Sequence, residues 1–239
     1  MNNRFIELTA YPLLVSISFL LYWYLSSSGT IRRFFIDKIG QERALFWHVL
    51  YQKLTGFVIL GILPGICIYY TDQASFSDYG INTMNIRTSL YWVGILGVVI
   101  FCVNFFLARR PSNLEQYPQI RKKEWSIGTL IGGGFGWLIY LLGYEFLFRG
   151  VLLFGSLKVM DSWLAISLNV LLYAIAHLPK GKLETFGSVP FGLLVCLFTV
   201  STGNIWTAFG LHACMALSNF YFSFYYHPEM KLVVGRNRK

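Results

Sequence analysis

Two charges of opposite sign stand four residues apart in "GYEFLFRG", Gly143 to Gly150, inside one of the most apolar parts of the chain. At i and i+4, Glu145 and Arg149 share a helix face and can neutralise each other. That spacing alone fits a structural ion pair as well as a reactive carboxylate. Further on, "LLYAIAHLPKGKLE" closes an apolar segment on His177, with Tyr173 one turn earlier on the same face and Glu184 just beyond. "NIWTAFGLHACMALSN" carries His212, with Asn219 two turns on. A carboxylate, an arginine, two histidines and an amide are parts that can activate a water and stabilise an oxyanion. His177, His212 and Glu145 are also a ligand set for zinc, the second choice. No GxSxG, Cys/His or HExxH arrangement is present, so neither a covalent nucleophile nor a zincin helix is expected.

The elements that must hold these groups are membrane helices. Of 239 residues, 55% are hydrophobic and only 13% charged, and apolar runs long enough to cross a bilayer recur along the chain. The expected spans are about 9–28, 48–70, 88–107, 135–157, 162–178, 184–200 and 205–226. The fold class is therefore all-α, a polytopic membrane helical bundle of about seven transmembrane helices (six to eight). The apolar start lacks a small-x-small cleavage site and reads as a retained first helix. The organisation is 1–125, three spans with basic loops; 126–226, the helices bearing the candidate site; and 227–239, a basic tail.

The net charge of +9 is a topology signal and does not point to nucleic acid. With the N-terminus outside, fifteen Lys and Arg fall on cytoplasmic loops and the tail, against Arg4, Arg87 and Lys158 on the other side. That asymmetry orients the C-terminus to the cytoplasm, and the expected location is a bacterial inner membrane, with anionic lipid as a partner. Lys53 is expected to snorkel to the cytoplasmic edge. Trp125 and Trp163 read as interface anchors, and the four cysteines as packed thiols. Gly128, Gly132 and Gly136 repeat as small-xxx-small packing, while glycines 132–134 read as a helix break that starts the fourth span at 135.

A charge at bilayer depth costs at least ~2.5–3.5 kcal/mol, so such groups face a cavity and a partner. Counted from the span ends, Glu145, His177, His212, Asn219 and Glu184 fall within roughly 15 Å of one depth at 1.5 Å per residue. Five polar groups on four helices at one level point to an enclosed polar site.

"YEFLFRG", "YAIAH" and "GNIWTAFGLHA", in that order, resemble the three motifs of the CAAX-protease and bacteriocin-processing family, glutamic-type intramembrane endopeptidases. The family pattern runs E-E-x-x-x-R, then F-x-x-x-H, then H-x-x-x-N, and the resemblance covers about residues 126–220. It implies an enzyme that cleaves a membrane-associated peptide or protein with a glutamate-activated water and no cofactor. Glu145 matches the second glutamate, Arg149 the arginine, His177 the middle histidine with Tyr173 at the aromatic position, and His212 the last histidine. On this resemblance Glu145 polarises the water, and the histidines orient it or donate to the oxyanion. Tyr144 stands where the first glutamate belongs and Ala216 where the asparagine belongs. Asn219, on the face of His212, is the candidate replacement for that asparagine. "HLPKGKLE" resembles a branch that brings in Glu184. Two other readings stay open: a catalytically silent scaffold or bacteriocin-immunity protein, and a small transporter with Glu145 and the histidines as a relay. Neither inverted repeats nor paired broken helices support the transporter.

Overall fold

The computed structural model describes residues 3–73 and 75–233, with side chains from Leu8 onward. The basic tail residues Arg236, Arg238 and Lys239, and the side chain of Arg4, lie outside the described residues. The chain is an all-α polytopic bundle of α1 (Asn3–Ser26), α2 (Gly29–Ile39), α3 (Gln41–Asp72), α4 (Ile86–Leu107), α5 (Ile127–Leu157), α6 (Ser162–His177), α7 (Lys182–Thr202) and α8 (Trp206–Tyr226). Six of the seven expected spans are long and apolar enough to cross a membrane. The exception is α8, where His212, Ser218, Asn219 and Ser223 dilute the hydropathy. Its polar residues face inward, with His212, Ser218 and Ser223 buried, so its composition reflects a place in the core.

Polar locks at the two ends of the bundle show that α8 still runs from end to end. At one end Tyr11 donates to Asp72 at 2.6 Å, Tyr79 donates to the same carboxylate, and Lys158 lies 3.5 Å from it. Beside them Asn82 donates to the Gly203 carbonyl at 3.0 Å and Asn204 to the Met84 carbonyl at 2.6 Å. At the other end two short strands, β1 (Glu124–Trp125) and β2 (Lys231–Leu232), pair in parallel, flanked by a Lys123–Glu229 ion pair of 3.3 Å. There the Tyr117 hydroxyl donates to Glu184 at 3.0 Å. Burial and the adjacent Glu184 push that phenol's pKa up, so it stays a donor. Because β2 follows α8 and β1 precedes α5, α8 returns the chain to the end where α5 begins.

The bundle core is formed by α5, against which α3 and α8 pack, while α6 pairs with α7. Helix α5 begins at Ile127 and runs through the glycines expected to break it. Added Cβ atoms at Gly132, Gly133 and Gly134 would meet Phe46, Phe220 and Tyr221 at 2.8, 2.5 and 2.2 Å, so these glycines admit neighbouring rings without interrupting the helix. Gly132 and Gly136 do face α3, in keeping with small-xxx-small packing. Two other expectations are corrected. Trp125 is fully buried against Phe220 and Phe224, and so is a core residue. Lys53 turns inward and lies over Trp137. Trp163 is exposed, as an anchor must be, and all four cysteines are free thiols.

The closest approach sets the position of the site. A Cβ on Gly143 would lie 3.0 Å from the Phe57 Cα and 3.2 Å from its carbonyl oxygen, where α3 makes a π-helical turn at Val58–Ile62. Backbone cannot yield as a flexible side chain can. Gly143→Ala should therefore destabilise the bundle by about 1–3 kcal/mol, the usual cost of overpacking. Gly187→Ala, where nothing lies within 4 Å, should cost nothing. Thermal unfolding of the two variants in detergent separates them; equal melting would refute the close contact.

Candidate active site

From Phe146 to Phe154 α5 is π-helical. A π-segment bonds i to i+5 and widens the turn, and such segments are frequent at functional sites. Here the Phe148 carbonyl accepts a 2.5 Å hydrogen bond from Asn169 Nδ2, and the Asn169 Oδ1 accepts from the Cys196 thiol at 3.2 Å. Asn169 and Cys196 are both fully buried. The signal that could have singled out Asn169 is its spacing: Asn169, Tyr173 and His177 stand at i, i+4 and i+8, one stripe on α6.

Glu145 and Arg149 are wholly buried, with Arg149 Nη1 3.2 Å from Glu145 Oε2. That contact is an ion pair without hydrogen-bond alignment, and among the described residues all three guanidinium nitrogens lack a hydrogen-bond acceptor. The guanidinium carbon lies 4.3 Å from the Tyr173 ring centroid, a cation–π contact that offsets part of the burial cost. The second carboxylate oxygen, Oε1, accepts from His212 Nδ1 at 2.5 Å. Both oxygens of Glu145 are therefore engaged, one by a cation and one by an imidazole. Removing the cation should be severe: Arg149→Met should cost about 3–5 kcal/mol by stranding a buried carboxylate. The double variant with Glu145→Gln should be more stable than Arg149→Met alone. Unfolding of the set in detergent checks this, and strict additivity would show that the pair is not coupled.

His177 is buried, its Nδ1 donating to the Tyr173 carbonyl of its own helix at 2.8 Å. Between the histidines stands the buried Tyr144 ring, 6.4 Å from the His177 ring and 5.7 Å from that of His212. Tyr173 stacks 4.5 Å from His177 and 6.4 Å from His212. His177, His212 and Tyr173 thus surround the Tyr144 ring, and Glu145 and Arg149 join them through His212 and Tyr173. The other two candidates have partners of their own. Asn219 is half-buried and its Oδ1 accepts from Ser223 at 3.2 Å. Glu184 is held by Tyr117 and, at 3.8 Å, by Lys180. Ala216 is partly buried and packs against the core. Among the described residues no three His, Cys, Asp or Glu side chains group as a metal ion requires, the trio of His177, His212 and Glu145 included.

Residues 126–218 match the model of the family described as Type II CAAX prenyl endopeptidase Rce1-like. The matched segment holds Glu145, Arg149, Tyr173, His177 and His212, and over this part of its length the chain is similar to that family. Comparison with curated proteins and with solved structures gives no match.

Proposed function

We propose that the protein is an intramembrane endopeptidase that hydrolyses a membrane-associated peptide or protein by activating water at the Glu145–His212 pair. The observation that carries this reading is the 2.5 Å hydrogen bond from His212 Nδ1 to the buried Glu145. An ionised carboxylate only accepts, so Nδ1 holds the proton and Nε2 of the neutral ring keeps its lone pair. Glu145 then acts through His212. It fixes the tautomer and stabilises the imidazolium formed when Nε2 takes a proton from water, the role of the acid in hydrolase triads. The hydroxide so formed adds to the peptide carbonyl carbon, whose oxygen takes up the negative charge in the field of Arg149. The proton on Nε2 passes to the amide nitrogen as the C–N bond breaks. His177, with its Nδ1 likewise spent on a carbonyl, offers a second Nε2 to orient the water.

A second reading has its own observation. Tyr144 occupies the family's first-glutamate position, and its buried ring stands between the histidines, as expected of a scaffold that keeps the fold without the chemistry. An assay on a membrane-anchored substrate decides. Glu145→Gln and His212→Ala should each lower cleavage by about 10²–10⁴-fold, the range for a lost general base or its orienter. Glu184→Gln should keep activity. The reverse pattern moves the base to Glu184, and an unaffected background with no cleavage in any variant favours the scaffold.

The basic end of the bundle, with residues 109–123, 180–182 and 231, is proposed to face the cytoplasm of a bacterial inner membrane, leaving residues 82–85 outside. A cysteine at Lys122 should resist an impermeant maleimide added to intact cells, whereas one at Thr83 should react; the opposite labelling would invert the orientation.

A further inference from the structure

Lys53 stands in the interior of α3, only 5% exposed. Among the described residues no carboxylate pairs with it. Its Nζ lies 3.0 Å from the centroid of the Trp137 ring and 4.8 Å from that of Tyr140. Ring faces offset only part of the cost of a buried ammonium, and what the group still requires is an anion. Its neighbour in sequence fixes its depth. Gln52 Nε2 donates to the Ser26 carbonyl at 2.6 Å, and Ser26 is where the first membrane span ends. Lys53 is therefore level with that span's edge at the basic end of the bundle, close to the lipid headgroups. The ammonium borders a cavity of about 120 Å³ whose lining includes Gln119, Trp137, Tyr140 and Lys180. Lys180, about one-third exposed and 3.8 Å from Glu184, is a second cation at this cavity. On the α1 side the walls are Phe19 and Trp23, one helical turn apart, and Trp23 is half exposed. Leu20, beside them on α1, is exposed as well. A cationic, amide-bearing interior thus continues without a break into the apolar outer surface of α1.

We propose that this cavity holds the headgroup of an anionic phospholipid from the leaflet at the basic end. Its phosphate sits on Lys53 and Lys180, and one acyl chain runs out over Phe19 and Trp23. Basic pockets between membrane helices are suited to such headgroups. The charge pattern selects the class within them. A phosphodiester has two free oxygens, one for each ammonium, and the Gln119 amide can serve a headgroup hydroxyl. Choline or ethanolamine would bring a third cation to a site that already has two, so a glycerol headgroup is favoured. A soluble anion would match the charge but leave the aromatic wall toward the bilayer without an occupant. The lipid is a resident ligand that ties α1 to α3 and α5. It is not the material cleaved, so the proposal does not rest on the proteolytic reading.

The test is lipid retention. Full-length protein in detergent is titrated with phosphatidylglycerol or with phosphatidylcholine of the same acyl chains, and bound lipid is counted by native mass spectrometry. At the tightest site phosphatidylglycerol should bind about tenfold more tightly, as expected for one charge-assisted contact. Lys53→Met should bring phosphatidylglycerol down to the affinity of phosphatidylcholine without weakening the latter, and Lys53→Arg should preserve the difference. Lys182→Gln removes an equal charge from an exposed position at the same end, and should preserve it too. If Lys53→Met does not fold, Lys180→Met should still narrow the gap. Equal affinity of the two lipids for the unaltered protein, or a gap that survives both methionine substitutions, overturns the proposal. A gap lost as fully in Lys182→Gln also overturns it, because the attraction would then belong to the whole basic end. So does release of phosphatidylglycerol by excess inorganic phosphate, which would make the cavity a site for a soluble anion.

Discussion

A fully buried carboxylate held between a guanidinium and an imidazole is the constraint to which the rest of the bundle answers. In hydrocarbon, Glu145 is tolerable only if its charge is balanced within hydrogen-bond reach. Arg149 does this from its own helix and His212 from α8, at 3.2 and 2.5 Å. The arginine in turn requires an aromatic face, which Tyr173 of α6 provides. One acidic residue thereby fixes three helices relative to each other. Non-directional lipid contact could not do so, because apolar helices gain little from meeting each other in a bilayer.

The π-helical stretch belongs to the same constraint. The stretch from Phe146 to Phe154 carries a buried carbonyl at Phe148 that takes a partner from outside the helix. The amide of Asn169 satisfies it, and the thiol of Cys196 satisfies the amide. The polar residues of the core thus form a chain in which each member answers a need created by the previous one. Nine-residue irregular backbone persists in an apolar interior because none of its consequences is left to the lipid.

Much of this was legible in the sequence. The all-α polytopic class followed from apolar run lengths, and the likeness to the family matched over residues 126–218 from three short motifs in order. Hydropathy could also say that Glu145, Arg149, His177 and His212 were too costly to face lipid. It could not say which would touch. Periodicity places a residue on a helix face, whereas contact depends on helix rotation and on ring shapes such as that of Tyr144. Equal depth said nothing of partners: Asn219 accepts from Ser223, and Glu184 is held by Tyr117 and Lys180. The glycines at 132–134 misled for a related reason. Glycine disfavours helix in water, but in this core its missing side chain is the space that Phe46, Phe220 and Tyr221 occupy. Lys53 and Trp125 were assigned to the membrane edge by residue type, and packing drew both inside.

The two-residue strands at the basic end carry a topological consequence. Glu124–Trp125 precede the family-matched segment and Lys231–Leu232 follow it, and they lie hydrogen-bonded side by side. The site-bearing half of the chain is thus closed into a ring, its start and finish a single ladder apart. Chains with adjoining ends tolerate being rejoined there and opened elsewhere. The site-bearing part of the chain is by connectivity a circle that has been cut, onto which the first three membrane helices attach at one point of the circumference.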